Sequence, residues 1–306
     1  VTWGLGDLIF INDVFPKDYG AFFSGRPLEY LKKGVDAVKA GVYPDIASFE
    51  LVIIPFFEPN NFPDSNRFWM FDPMPGVTNR VQKEPASNIK NTEVALRVYQ
   101  DIAGFDASIY AYKGFYREPS MVPDSLTVPT RIELVYPELS VYVASLQRSA
   151  LGGVAGFEAG YYDSLDDRSG ADPLIPNSQT RFLLSYQRQV IEDLSVTAQY
   201  YGEYAHDYAE YERTRIAAFP KDPRFRDLTS LRMTYLLMQQ NMRFQWFSFW
   251  SPTDMDYLLN PEVRYNFSDH VWAAMGANIF GGKKDTTRFG SLDENDNIYM
   301  QARYEF

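Results

Sequence analysis

Residues 297–306 read NIYMQARYEF and alternate without a break. Ile298, Met300, Ala302, Tyr304 and Phe306 form one set, and Asn297, Tyr299, Gln301, Arg303 and Glu305 the other. A period of two puts the sets on opposite sides of a strand, one apolar and one polar. The pattern returns upstream. In 93–99, Val94, Leu96 and Val98 oppose Glu93, Arg97 and Tyr99; in 194–204, Leu194, Val196, Ala198, Tyr200 and Tyr204 oppose Ser195, Thr197, Gln199 and Glu203. In 271–279 the apolar set is Val271, Ala273, Met275, Ala277 and Ile279. No amphipathic helix longer than two turns is expected, and the one helical candidate is Pro27–Lys33, with proline in the first turn.

This reading predicts strands over 37–44, 47–57, 91–100, 105–115, 131–148, 153–163, 179–190, 194–205, 228–238, 242–250, 256–267, 270–281 and 297–306, with Val1–Gly4 as the tail of another. Spans of about ten residues suit tilted strands crossing a bilayer, whereas soluble sheets favour about 5–6. The connections alternate long (5–36, 58–90, 116–130, 164–178, 206–227, 282–296) and short (45–46, 101–104, 149–152, 191–193, 239–241, 268–269), with 251–255 intermediate. That is the asymmetry of barrels with tight turns at one rim and long loops at the other. It requires 131–148 to be one strand bent at Pro137, where the missing N–H is tolerated at a bulge. The expected fold is an all-β, antiparallel up-and-down transmembrane barrel forming a single domain, residues 1–306, with about 14 strands visible. The chain is read as starting within a strand, with further N-terminal strands and a signal peptide expected before it, for a native barrel of roughly 16–18 strands.

Composition narrows the functions. Phe, Tyr and Trp make up 16% of the 306 residues, and the net charge is −11. Mean hydropathy is −0.32, and the longest uncharged apolar run is Leu51–Phe57, far short of the roughly 20 residues a spanning helix needs. The acidic balance argues against nucleic acid. With no cysteine there is no disulfide, thiolate metal site or thiol nucleophile. The two histidines, His206 and His270, sit at turns, and no nucleophile-elbow, zinc or phosphate-loop motif occurs, so no enzyme and no cofactor are expected. The acidic stretches 163–172 (DSLDDRSGAD) and 293–296 (DEND) lack calcium-loop spacing and read as solvated loops.

The terminal Phe306, with Tyr304, Ala302, Met300 and Ile298 at alternate positions, resembles the recognition signature of Gram-negative outer-membrane proteins. The resemblance implies that the barrel-assembly machinery reads this strand. A second resemblance lies in Trp3-Gly4-Leu5-Gly6-Asp7, residues 13–19 (DVFPKDY), 160–167 (GYYDSLDD) and 199–203 (QYYGE), which are similar to proteobacterial porin-like barrels of unassigned substrate. It implies an outer-membrane location and a pore or transport role, without naming a solute.

Were the apolar set to face lipid, the other set would line a lumen: Glu50, Glu93, Arg97, Arg131, Glu133, Glu158, Arg181, Gln187, Glu203, Arg232, Arg243, Gln245, Glu262, Arg264, Arg303 and Glu305. Charges of both signs on one wall select solutes by charge, and a lumen carrying the acidic excess would prefer cations. Aromatic residues at strand ends (Trp3, Tyr43, Phe56, Phe115, Tyr116, Trp246, Trp250, Tyr257) are read as interfacial girdles, with a carbohydrate-binding track as the alternative. The long apolar segments 5–36 and 58–90 are expected to fold into the mouth and narrow it, or to cap the rim. The expected role is passive passage of small polar or charged solutes, with lipid, the assembly machinery, small solutes and a homo-oligomer or periplasmic protein as partners. The alternative is a barrel that sheathes or anchors a partner protein.

Overall fold

A computed structural model describes residues 3–6, 8–9, 11, 13–26, 28–63, 67–217 and 219–306. The chain is all-β, with 53% strand and 8% helix. Its strands are β1 (Val38–Val42), β2 (Ser48–Ile54), β3 (Arg80–Lys83), β4 (Glu93–Ile102), β5 (Phe105–Phe115), β6 (Ser120–Pro123), β7 (Ile132–Val135) and β8 (Glu138–Ala150). The second half adds β9 (Gly153–Ser164), β10 (Gln179–Ile191), β11 (Leu194–Ala205), β12 (Phe225–Leu237), β13 (Met242–Ser251), β14 (Asp256–Ser268), β15 (Val271–Gly282) and β16 (Asn297–Tyr304). Thirteen of these form one antiparallel sheet in the order β1-β2-β4-β5-β8-β9-β10-β11-β12-β13-β14-β15-β16, each beside the next strand of that sheet along the chain. β3, β7 and β6 make a separate small sheet.

Strand order is the simplest that tight turns can make. The 103–104 and 151–152 turns place both residues at positive φ (Ala103 54°, Gly104 79°; Leu151 52°, Gly152 74°), the handedness that matches the twist of flanking strands. At the opposite end the connections are long: 55–92, 116–137, 165–178, 206–224 and 283–296. One stretch at these loops runs differently from the expectation. Residues 131–148 are not one bent strand: Tyr116 N–H bonds Pro137 O, β7 lies parallel to β3 in the small sheet, and β8 starts afresh at Glu138. The proline ends one strand and begins another, so the long-short alternation survives inside a longer 116–137 connection.

The sheet is not closed. β1 and β16 are its two edges, and no ladder joins them. Of the expected stub at Val1–Gly4, Val1 and Thr2 lie outside the described residues and Trp3 and Gly4 are not in a strand; Trp3 is 5% exposed and packed against the sheet. The helical candidate reduces to a 3₁₀ turn at Leu28–Leu31, Pro27 being outside the described residues. A short helix absent from the sequence reading, α1 (Tyr19–Phe23), is capped by the Asp18 carboxylate, which accepts from Ala21 N–H at 2.8 Å. The other, α2 (Tyr208–Thr214), sits in the 206–224 loop.

The two faces of the sheet differ as the alternation requires. One carries Val94, Leu96, Ile109, Tyr142, Leu146, Phe157, Leu184, Leu231, Trp250, Val271, Met275 and Ile298, all exposed; Ile109, in mid-strand, is 59% exposed. Along the other face, side chains from β2 through β15 converge on a single core cluster: Val52, Ala95, Tyr110, Val141, Tyr162, Leu183, Tyr201, Leu228, Phe247, Leu258 and Phe280. One cluster touching so many successive strands requires a sheet curved around it.

Candidate functional site

The concave face is occupied by the chain's own N-terminal segment. Trp3, Ile9, Ile11 and Phe15 are buried in the same cluster as the strand residues. Trp3 Nε1 donates to Glu50 Oε2 on β2 at 3.1 Å, and its ring packs on Phe15 and Tyr110. Leu5 N–H donates to Glu158 Oε2 on β9 at 2.8 Å, and Gln199 Nε2 on β11 donates to Leu5 O at 3.4 Å. The Tyr162 hydroxyl donates to Ile11 O. Further on, Asn278 Nδ2 on β15 and Asn297 Nδ2 on β16 donate to Phe23 O, and Gln301 Nε2 donates to Gly25 O. The sheet approaches closely because β9 carries glycine there: a Cβ at Gly160 would stand 2.8 Å from Val143 Cγ2 and 3.1 Å from Ile11 Cγ2. A segment without ladder bonds must satisfy its backbone polar groups some other way. Inward polar side chains do so.

Arg117, one residue beyond Tyr116, holds this arrangement together. Its Nε donates to Val14 O at 3.0 Å and Nη1 to Glu58 O at 3.1 Å. Toward the β4 carboxylate, Nη1 donates to Glu93 Oε1 at 2.9 Å and Nη2 to Oε2 at 2.5 Å. The Tyr112 hydroxyl completes the Glu93 carboxylate at 2.6 Å. Glu93 is 0% exposed. One guanidinium thus joins the segment, the 55–92 connection, β4 and, through Glu93, β5. Sequence reading missed Arg117 because it lies in a loop, outside any alternating stretch. Nearby, Lys17 Nζ pairs with Asp13 Oδ1 at 2.9 Å inside the segment, and burial pushes the Lys17 ammonium below its ordinary pKa, against the opposing pull of Asp13.

The residues expected on the inner wall fall in several different places. Glu93 and Glu158, with Glu50, face inward but are spent on the N-terminal segment and its neighbours. Arg97 lies inward too, 4.1 Å from the Tyr99 ring centre and 3.8 Å from Glu50. Arg181, over the Tyr162 ring at 3.9 Å, pairs with Glu203 at 3.5 Å, and Glu203 also meets Arg226. Arg232 stands over Phe247. Arg131 and Glu133 are corrections: they pair with each other at 3.0 Å beside and on β7, in the small sheet, because the strand containing them does not continue into β8. Tyr304 and Phe306 are exposed at the β16 edge and beyond it.

Arg243, Gln245, Glu262, Arg264 and Arg303 share a cavity of about 280 Å³ on the inner face of β13–β16, closed on one side by Phe22, Gly25 and Arg26 of the segment, whereas Gln187 and Glu305 are exposed outside it. Arg26, Arg243, Arg264 and Arg303 line it against Glu29 and Glu262. Glu262 is shared between Arg243 Nη2 (3.2 Å) and the Tyr299 hydroxyl (3.1 Å), and Glu29 meets Arg303 at 3.2 Å. Arg264 lies 4.0 Å from the Trp272 ring centre and donates to Asn266 Oδ1, with no ion pair among the described residues; Arg26 has none either. Gln245, Asn260, Asn278 and Gln301 supply neutral hydrogen-bonding groups.

Other expectations fall elsewhere. Trp3 and Phe115 are buried and are not girdle residues, whereas Tyr43, Phe56, Trp250 and Tyr257 are exposed. His206 Nε2 meets Thr180 Oγ1 at 2.8 Å, and His270 Nδ1 meets Glu305 O at 2.9 Å; neither ring bonds a serine among the described residues. In the 163–172 loop, Asp167 accepts from Ser169 and Asp172 N–H, and Asp163 pairs with Arg168. No protein-family model matches the chain, and no curated protein sequence matches it.

Proposed function

We propose that this sheet is the larger part of an outer-membrane β-barrel, and that it passes small polar solutes along an inner face narrowed by the chain's own N-terminal segment, Trp3, Ile9, Ile11 and Phe15 among it. The observation that carries the reading is the pairing of faces. Exposed Leu, Ile, Phe, Tyr and Met run across successive strands on one side, while ion pairs and amides lie on the other. An apolar face of that extent is unfavourable in water and ordinary in lipid. Backbone in lipid must be hydrogen-bonded throughout, so the open seam between β16 and β1 is where further strands of a barrel would pair. The segment argues against the alternative of a barrel that sheathes a partner protein, since the space a partner needs is filled by residues such as Trp3, Ile11 and Phe15.

Planar-bilayer recording of the refolded protein tests the function. Discrete, small conductance steps are expected, together with a reversal potential that shifts under a salt gradient. Membrane insertion without steps at any voltage would overturn the passage.

A further inference from the structure

We infer that the cavity on the inner face of β13–β16 is a binding site for a small organic carboxylate. The inference rests on the passage proposed above and names its solute class. The chain is acidic overall, yet this cavity gathers four arginines against two glutamates. The two glutamates are already engaged by Arg243, Arg303 and Tyr299, which leaves Arg26 and Arg264 without a carboxylate partner among the described residues. The Arg243 Nε is buried and has no hydrogen-bond acceptor among the described residues. A buried donor without a partner costs free energy, and guanidinium matches the planar carboxylate with two parallel hydrogen bonds. About 280 Å³ admits an acid of a few carbon atoms. Arg264 is braced against Trp272, so its guanidinium is held in place before a ligand arrives. Asn260, Asn278 and Gln301 beside it would serve hydroxyl or carbonyl groups of the same ligand.

Succinate, inorganic phosphate and glucose are the probes, titrated calorimetrically into detergent-solubilised protein at low ionic strength. Succinate should bind saturably and glucose should not. Arg264→Gln should weaken succinate at least tenfold and Arg243→Gln comparably, while Arg188→Gln, on the outward face of β10, should change it less than twofold. No succinate binding, binding of phosphate alone, or equal weakening by Arg188→Gln would each overturn the assignment. Both mutants must keep the wild-type thermal transition; an unfolded Arg264→Gln would be replaced by Arg264→Lys, expected to retain charge but lose most of the affinity. Conductance separates the two ideas. Conduction without succinate binding overturns the site and leaves the passage, whereas succinate binding without conduction does the reverse.

Discussion

Replacing Arg117 with Met removes the cation that faces, among the described residues, a carboxylate with no exposed surface. Four hydrogen bonds vanish: to Val14 O, Glu58 O and both oxygens of Glu93. Among the described residues Glu93 keeps only the Tyr112 hydroxyl. Stripping one partner from a buried ion pair costs about 3–5 kcal/mol. At 1.4 kcal/mol per factor of ten, the equilibrium that releases the segment should rise by roughly two to three and a half orders of magnitude. Methionine fills much of the volume, so the loss is chiefly electrostatic. Hydrogen exchange in detergent micelles is the assay, following the backbone amides of the described non-proline residues among 3–17. They should lose protection by that factor in Arg117→Met while amides of β10–β14 hold theirs. The double variant Glu93→Gln/Arg117→Met should recover part of the loss, because position 93 then carries no unpaired buried charge. Unchanged exchange in residues 3–17, or a double variant worse than Arg117→Met by the full cost of a second lost pair, would refute the role given to Arg117.

Other perturbations probe separate parts. Gly160→Val forces a side chain against Val143 and Ile11; overpacking of this kind costs about 1–3 kcal/mol, visible as a lower denaturation midpoint, and an unchanged midpoint would show that the segment does not press on β9. Ile109→Lys, on the outward face, should cost about 2–4 kcal/mol for protein in bilayers if the position is near the midplane; a cost near zero would place that face in water. In the 116–137 loop, the Thr130 hydroxyl and the Thr130 and Arg131 amides hold the Asp124 carboxyl down to about 2, from an ordinary 3.8. Its contribution to loop order is full above 3.8 and is lost as pH falls through about 2. The Thr130 amide resonance should titrate near 2, and a midpoint near 3.8 would contradict that hydrogen bond.

The strands were legible because alternation is a local property: the face of Val94, Leu96 and Val98 follows from period two whatever lies across the sheet. The turns at Ala103-Gly104 and Leu151-Gly152 were legible for a similar reason, each being a short break between two alternating runs. Pro137 was misread because its effect depends on where the chain before it pairs, and β7 pairs with β3, some fifty residues earlier. The N-terminal segment was only half legible. Its apolar content showed that it must be covered, but nothing local to Trp3 or Ile11 says that Glu50, Glu158 and Tyr162 cover it. Parity put Glu93, Glu158 and Arg181 on one face of their strands but misplaced Arg131 and Glu133, and the division into segment-binding acids and a cavity of arginines depends on contacts between distant strands.

The central claim is that the sheet's outward face lies in lipid and its inward face does not. Single-tryptophan variants in vesicles of brominated phospholipid test it most directly, with the other tryptophans replaced by Phe. Trp246, on the outward face of β13, and Trp272, buried on the inward face of β15, are the pair to compare. Strong quenching of Trp246 with little quenching of Trp272 is the expected result. Equal quenching of the two, or none of Trp246, would contradict the account.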